Sequence, residues 1–209
     1  LSAEEVTDHM AAINVIHSWI LAYIADGALL AIGHRVVHGG HNYSTPVLVN
    51  AKVLNDLETL VPLAPLHQPH NLAAIYAFSE IMPTLPQVAC FDTAFHQVQP
   101  AVAQRFALPR HFFDEGIRRY GFHGLSYEYL LQELERQVGT QVAHGRVILA
   151  HLGNGASMAA VRDGRCLDTS MGFTPAAGLV MGRRSGDIDP GLVAYLARTE
   201  GMTAEQFDD

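Results

Sequence analysis

The stretch VILAHLGNGASMAAVRDGRCLDT, residues 147–169, alternates short apolar runs with glycine-containing turns. This pattern predicts three strands, at residues 147–152, 156–162 and 165–169. The dipeptide Asp163-Gly164 is typical of the two-residue turn of a β-hairpin, so we expect it to join the last two strands. The second half of the chain should therefore contain a sheet built from hairpins.

Outside this stretch, predicted helices are mixed with two short apolar strands. The helices are expected at residues 3–25, about 50–60, 71–81 with Asn71 as its cap, 125–138, and about 189–199 opened by Asp189-Pro190. The strands are expected at residues 28–37 and 87–92, and because both are largely apolar we expect them to present unprotected sheet edges. This mixture predicts an α/β fold, and we place a domain boundary near residue 94, which gives domains 1–94 and 95–209.

The composition limits the class of protein. The 209 residues are 49% hydrophobic and 16% charged, which excludes a disordered tail. A net charge of −8 disfavours a nucleic-acid-binding surface, and no apolar window is long enough to span a membrane. Cys90 and Cys166 form no CxxC pair, so we expect reduced thiols. We predict a cytoplasmic protein with neither a nucleic-acid nor a membrane partner.

Arginine supplies nearly all of the positive charge. Twelve of the 13 cationic residues are arginines, and Lys52 is the only lysine. A phosphate or carboxylate must therefore be bound by guanidinium groups, backbone N–H groups, histidine or a metal, and arginine suits planar oxyanions. The sequence contains no GxxxxGK[ST] phosphate loop, no HExxH zinc motif and no GxSxG elbow.

Six stretches combine glycine or proline with histidine, arginine or aspartate near predicted strand ends and in loops. They are GHRVVHGG (33–40), APLHQPHN (64–71), CFDTAFHQ (90–97), RRYGFHGLS (118–126), HLGNGAS (151–157) and MGRRSGDIDPG (181–191). Each one alone fits an ordinary turn, helix cap or surface loop at least as well as a ligand site, and for APLHQPHN and HLGNGAS the structural interpretation is favoured. Together they favour a site for an anion, because backbone N–H groups and guanidinium groups bind oxyanions at such places.

In this order, the six stretches resemble the signatures of the acetate kinase family, over about residues 28–199. The resemblance implies the two-domain α/β fold shared with actin, sugar kinases and Hsp70, with the active site in the cleft between the domains. It implies transfer of the γ-phosphoryl group of ATP to acetate, giving acetyl phosphate and ADP, with Mg²⁺ as cofactor. It also implies that the complete enzyme is a homodimer.

The resemblance also implies roles for individual residues. Arg35 and Arg184 would bind the carboxylate and the transferring phosphoryl group, and His123 would donate a hydrogen bond to that group. Asp92 would be the catalytic aspartate. The further implied positions are His67 in the cleft, an acyl pocket of Val37, Leu66, Phe122 and Pro175, and an ATP phosphate stretch of His151, Leu152, Gly153, Asn154 and Gly155.

The chemistry itself limits the role of Asp92. A carboxylate is already an anion at neutral pH, so it needs no strong base to attack phosphorus. Catalysis then depends on positioning and on stabilising the charge of the equatorial oxygens. Our hypothesis is that Asp92 orients an arginine or a metal-bound water and does not remove a proton.

Several positions depart from the family's pattern. His41 follows HGG where an acidic residue is usual, Tyr127 replaces the last histidine of FHGxSH, and Arg183 stands beside Arg184. The family's N-terminal phosphate loop and its C-terminal third are also missing from this sequence. The resemblance therefore places no metal ligand among these residues, and the segment alone is expected to be inactive.

Two alternatives to an acetate kinase stay open. One is a propionate or butyrate kinase of the same superfamily, although Val37 in the acyl pocket favours the smallest substrate, because a smaller residue would admit another methylene. The other is a binding protein without catalytic activity that has kept the cleft; intact Arg35, Asp92, His123 and Arg184 argue against it.

Overall fold

The computed structural model describes residues 9–24 and 29–208. Its helices are α1 His9–Tyr23, α2 Ala51–Glu58, α3 Gln68–Ile81, α4 Ala101–Gln104, α5 Arg110–Asp114, α6 Gly124–Val138, α7 Thr140–Ala143, α8 Pro190–Thr199 and α9 Ala204–Asp208, with 3-10 turns at Val61–Leu63 and Ala94–His96. Its strands are β1 Ile32–Val36, β2 Val47–Leu48, β3 Gln87–Phe91, β4 Arg146–Leu152, β5 Ala156–Arg162 and β6 Arg165–Thr169. The predicted positions 3–8, 25 and 28 lie outside the described residues. None of the described helices has the length and apolarity that a membrane span requires.

The first sheet has the order β1-β3-β2. β3 runs parallel to β1 and antiparallel to β2, so both of its edges are paired. The expectation that residues 87–92 present an unprotected edge is therefore wrong, because β2 is too short for a local pattern to reveal it. Helices α2 and α3 cover one face of this sheet through a core of Val36, Val53, Leu57, Leu72, Ile75, Ala89 and Phe91.

Helix α3 begins earlier than its predicted cap. It starts at Gln68, and Pro69 occupies its first turn, where a missing N–H group costs nothing. Asn71 is consequently inside the helix, and its side-chain oxygen accepts a hydrogen bond from the backbone N–H of Val37 at 2.9 Å. Asn71 thus links α3 to the end of β1 instead of capping the helix.

The second sheet is the predicted set of antiparallel strands in the order β4-β5-β6. Asp163 and Gly164 have φ angles of 53° and 72°, the positive values that the tight hairpin turn requires. Helix α6 packs on this sheet through Tyr127, which shares a core with Phe95, Leu149, Ala159, Val161 and Cys166. The predicted cap Asp189 also forms, because its carboxylate accepts a hydrogen bond from the Gly191 N–H at 2.7 Å.

A third apolar cluster lies where the segments that follow β1 and β6 come together. It consists of Val37, Ala64, Tyr120, Phe122 and Met171, all buried. Two of these residues, Val37 and Phe122, also line the cleft described below. The cleft walls are therefore held by a packed core and not by surface loops alone.

Candidate active site

The main cleft of the described structure has a volume of about 720 Å³. It lies at the carboxyl ends of β1 and β3, where α/β folds commonly place their ligands. Its lining residues are Arg35, Val37, His67, Asp92, Phe122, His123, Leu125, Ser126, Tyr129, His151, Asn154, Gly155, Pro175 and Arg184. Residues from all six sequence stretches thus meet in one place.

Arg35 and Asp92 form an ion pair on one side of the cleft. Because β1 and β3 are parallel and Arg35 lies opposite Cys90, the end of β3 brings Asp92 next to Arg35. The Arg35 Nε donates to both carboxylate oxygens at 3.1 and 3.2 Å, and its Nη2 donates to Oδ2 at 2.5 Å. Asp92 is only 1% exposed, whereas 60% of the Arg35 side chain is exposed.

This ion pair fixes the charge and the direction of the arginine. The hydrogen bonds that Arg35 donates to Asp92 raise the pKa of Arg35, so the guanidinium stays charged at every relevant pH. The Asp92 carboxylate is occupied by these bonds and is a poor candidate for removing a proton from a substrate. The geometry favours the hypothesis that Asp92 orients an arginine.

The loop that carries His123 is pressed against the end of β3. Gly124 donates its N–H to the Asp92 backbone oxygen at 2.8 Å, and a Cβ at residue 124 would lie only 2.3 Å from that oxygen. His123 has a φ of 63°, a left-handed conformation that is uncommon for a residue other than glycine. Such strain is often found at functional sites, where the surrounding structure holds it.

The His123 imidazole is buried and neutral. It is 8% exposed, stacks on His151 with ring centroids 4.0 Å apart, and its Nδ1 lies 2.8 Å from the Ser157 hydroxyl. Burial lowers its pKa to about 4, with smaller contributions from the nearby His151, Arg35 and Arg184. At neutral pH the ring therefore carries one proton, which it can donate in a hydrogen bond.

His123 and Arg184 converge on one point beside Gly155. A Cβ built on Gly155 would stand 3.0 Å from His123 Nε2 and 3.2 Å from Arg184 Nη1. A ligand oxygen cannot occupy that position, because it is one bond length from the Gly155 Cα, but an oxygen farther into the cleft could reach both nitrogens. Glycine at position 155 leaves the approach to the two nitrogens open, and the Cβ of any other residue would obstruct it.

No carboxylate neutralises Arg184 among the described residues. Its Nη1 contacts only the Pro175 carbonyl oxygen at 3.4 Å and the Met181 sulfur at 3.7 Å. The Met181 N–H donates a hydrogen bond to the Arg184 carbonyl at 3.0 Å, and this antiparallel pairing holds the arginine in a tight turn. Arg183 in the same turn is exposed and does not line the cleft, so the structure places only Arg184 there.

The remaining predicted cleft residues place a histidine at the rim and form an apolar wall. His67 occupies the residue before α3, and its pKa is lowered by burial and then by the positive charges of Arg184 and Arg35. The apolar wall includes Val37 and Phe122, which are almost fully buried, and Pro175. A positive potential next to apolar side chains suits a small carboxylate with an alkyl group.

Three predicted positions do not line the cleft. Leu66 is 72% exposed, because His67 turns into the cleft and its neighbour points to solvent. Leu152 is 75% exposed, because it alternates with His151 along β4 and so faces the other side of the sheet. The Gly153 N–H donates to the Gly155 carbonyl at 3.0 Å, so it is not free to bind a phosphate.

Three residues that sequence reasoning did not single out also line the cleft. Leu125, Ser126 and Tyr129 lie on the first turns of α6. The i, i+4 spacing of Leu125 and Tyr129, directly after the FHG motif, was the available signal. Ser126 Oγ lies 3.0 Å from His151 Nδ1 and so fixes the ring that stacks on His123.

The described residues do not by themselves build a magnesium site. No group of three histidine, cysteine, aspartate or glutamate side chains lies close enough among them to hold a metal ion. Both carboxylate oxygens of Asp92 already accept hydrogen bonds from Arg35. Magnesium prefers several oxygen ligands in octahedral geometry, which these residues do not offer.

Comparisons with known proteins agree with one another. The sequence profile of the acetokinase family matches residues 2–209. The chain is 54% identical over 201 residues to an acetate kinase of Methylocella silvestris, covering 96% of this chain and 50% of that protein. It is 51% identical over 205 residues to an acetate kinase of Rhodopseudomonas palustris, covering 98% of this chain and 52% of that protein.

Solved structures show the same similarity in three dimensions. A propionate kinase from Francisella tularensis superposes with a TM-score of 0.91 at 41% identity, covering 96% of this chain and 52% of that one. A Porphyromonas gingivalis acetate kinase gives a TM-score of 0.87 at 40% identity, with the same two coverages. The predicted α/β kinase fold is confirmed, and the chain spans about half the length of the relatives it matches.

Proposed function

The chain belongs to the acetokinase family, and from this premise we propose that it is part of an acetate kinase about twice its length. The complete protein transfers the γ-phosphoryl group of ATP to acetate and releases ADP and acetyl phosphate. The observation that carries this proposal is that His123 Nε2 and Arg184 Nη1 lie together beside Gly155 in the lining of the cleft. Two neighbouring donors suit an oxygen whose charge grows during transfer.

The reaction needs positioning more than proton transfer. An acetate oxygen forms a bond to the γ-phosphorus while the bond from that phosphorus to the β,γ-bridging oxygen breaks, and ADP leaves with the electron pair. No proton has to move before attack, because acetate is ionised at neutral pH. The obstacle is the approach of two anions, which the positive charges of Arg35 and Arg184 reduce.

Each wall of the cleft has a task in this scheme. Arg35, held by Asp92, binds the carboxylate, and the apolar wall of Val37, Phe122 and Pro175 receives the methyl group. His123 and Arg184 donate to the equatorial oxygens of the transferring group. His67 adds a polar contact at the rim, and His151, Asn154 and Gly155, the members of the stretch that line the cleft, face the ATP phosphates.

The magnesium ion enters this scheme as part of the MgATP substrate. No group of three histidine, cysteine, aspartate or glutamate side chains among the described residues could hold it. The resemblance further predicts a homodimer and a cytoplasmic location for the complete enzyme.

The test is acetyl phosphate formation by the purified complete protein supplied with MgATP and acetate. We expect turnover that saturates with acetate, and little or none from residues 1–209 alone, since the isolated segment lacks the remaining ATP contacts. A complete protein that binds ATP but phosphorylates no short carboxylate would favour a non-catalytic binding protein.

A propionate kinase is the second candidate, because the Francisella tularensis structure similar to this chain carries that name. Val37 decides between the two in our proposal, since it lines the cleft and is only 4% exposed. Replacing Val37 with alanine should move the ratio of kcat/KM from acetate toward propionate by about tenfold, the usual effect of one methylene. A wild-type protein that already prefers propionate would identify the second candidate as correct.

A further inference from the structure

A chain of hydrogen bonds runs from His123 away from the cleft. His123 Nδ1 lies 2.8 Å from the Ser157 hydroxyl oxygen, and that oxygen also contacts the hydroxyl of Tyr127. Both Ser157 and Tyr127 have 0% exposure, so solvent cannot complete their hydrogen bonds. Tyr127 is the residue that departs from the histidine expected in the FHGxSH pattern.

The number of donors and acceptors selects one direction for these hydrogen bonds. If Tyr127 donates to Ser157, then Ser157 donates to His123 Nδ1, and every hydroxyl proton has an acceptor. If His123 Nδ1 carried the proton and donated to Ser157, either the Ser157 or the Tyr127 hydroxyl proton would have no acceptor among the described residues. A buried donor without an acceptor is unfavourable, so the first arrangement prevails.

The direction of these hydrogen bonds determines whether Nε2, the His123 nitrogen on the cleft side, carries the proton of the ring. When Nδ1 accepts, the single proton of the neutral ring sits on Nε2, the nitrogen that lies beside Gly155 in the lining of the cleft. We propose that Tyr127 is a positioning residue that sets the His123 tautomer through Ser157. Its catalytic consequence rests on the proposed phosphoryl transfer, since only the Nε2–H tautomer can donate to the transferring group.

The fold keeps the three residues in register. Tyr127 lies one helical turn after His123, and its N–H donates to the His123 carbonyl at 3.1 Å. Ser157 is on β5, opposite His151, whose ring stacks on His123. Burial raises the pKa of Tyr127, so its hydroxyl stays protonated and keeps its role as donor.

The experiment is NMR of the complete protein with ¹⁵N-labelled histidine, with His123 assigned by comparison with His123→Asn. We expect a proton on Nε2 in the wild type and a mixture of tautomers in Tyr127→Phe and in Ser157→Ala. In turnover assays, kcat should fall about fivefold in Tyr127→Phe and more in Ser157→Ala, with KM for acetate nearly unchanged.

Tyr120→Phe is the matched control. Tyr120 is also buried, but its hydroxyl donates to the Gly116 carbonyl at 2.8 Å and has no link to His123. We expect the His123 tautomer and the kcat of Tyr120→Phe to equal those of the wild type. A proton on Nδ1 in the wild type, or an unchanged tautomer in both Tyr127→Phe and Ser157→Ala, would overturn the proposal.

The tautomer measurement does not depend on turnover. If the complete protein proves inactive, the proposed function fails while the spectrum still decides the tautomer. If Tyr127→Phe does not fold, the spectra of the wild type and of Ser157→Ala test the proposal instead.

Discussion

The two sides of the cleft use their arginines in opposite ways. On the ion-pair side, formed by Arg35 and Asp92, the guanidinium is held by both oxygens of a buried carboxylate. On the open-donor side, formed by His123, Gly155 and Arg184, no described acidic group pairs with the two donors, and both lie beside Gly155 in the lining of the cleft. One side is fixed before a ligand arrives, and the other keeps its hydrogen-bonding capacity for the ligand.

The ion-pair side is therefore suited to positioning a ligand, and the open-donor side is suited to stabilising charge. Because 60% of the Arg35 side chain is exposed, the ion pair contributes little to the stability of the fold. Its main effect is to fix the direction in which the Arg35 guanidinium points. The unpaired Arg184 instead contributes an uncompensated positive charge; burial is the main cause of the lowered pKa values of His67 and His123, and the charges of Arg184 and Arg35 lower them further. A cleft built in this way holds a carboxylate on one side and stabilises the transferring phosphoryl group on the other.

The largest expected effect comes from closing the point on the open-donor side. Gly155→Ala places a methyl group 3.0 Å from His123 Nε2 and 3.2 Å from Arg184 Nη1, where it obstructs the approach of a ligand oxygen to both donors. Since one oxyanion donor contributes about 10²- to 10³-fold to turnover, we expect kcat to fall at least about 10³-fold. The measurement is acetyl phosphate formation, with thermal unfolding to show that the fold persists.

Gly182→Ala is the control for this change. A Cβ at Gly182 meets nothing within 4 Å, and its φ is outside the left-handed region. This variant should keep its activity, whereas equal losses in both variants would show that added methyl groups merely disturb the loops.

The next effect compares the two neighbouring arginines. Arg184→Ala should lower kcat about 10²-fold with a smaller change in KM, because its donor acts mainly in the transition state. Arg183→Ala should change kcat less than about threefold, since Arg183 is exposed and outside the cleft lining. Steady-state kinetics of both variants checks this, and a raised KM with normal kcat in Arg184→Ala would make it a ground-state binder.

A smaller effect is expected from loosening the ion-pair side. Asp92→Asn removes the charge that holds Arg35, so kcat/KM should fall about tenfold through worse positioning. The shape of the pH profile should stay the same, because Asp92 removes no proton in our scheme. If the acidic limb of the profile disappeared in Asp92→Asn, the aspartate would be a general base and the comparison of the two sides would have to be revised.

The smallest effect concerns pH. Folding lowers the His123 pKa from 6.5 to about 4, so the ring stays neutral and kcat should have no limb near pH 6.5. The unfolded state binds a proton at about pH 6.5 and the native state does not, so stability falls as pH drops from about 6.5 to 4. His123→Asn, which tolerates the left-handed φ, should show a shallower fall in urea unfolding over this window.

Much of the fold was predictable because it depends on local patterns. The apolar alternation of residues 147–169, the Asp163-Gly164 turn and the Asp189-Pro190 helix start each act over a few residues, and all of them form. The strand β2 and the true start of α3 were missed. Two residues are too few to show a period, and pairing with β3 is what makes β2 a strand.

The sequence by itself determined which chemical groups are available and that they stand at strand ends and in glycine-flanked loops. Only the tertiary structure decided which of them meet: that Asp92 holds Arg35 and that Arg184, not Arg183, enters the cleft. The physical reason is distance and burial. Hydrogen bonds join residues tens of positions apart along the chain, and the His123 pKa falls because surrounding segments exclude water from its ring.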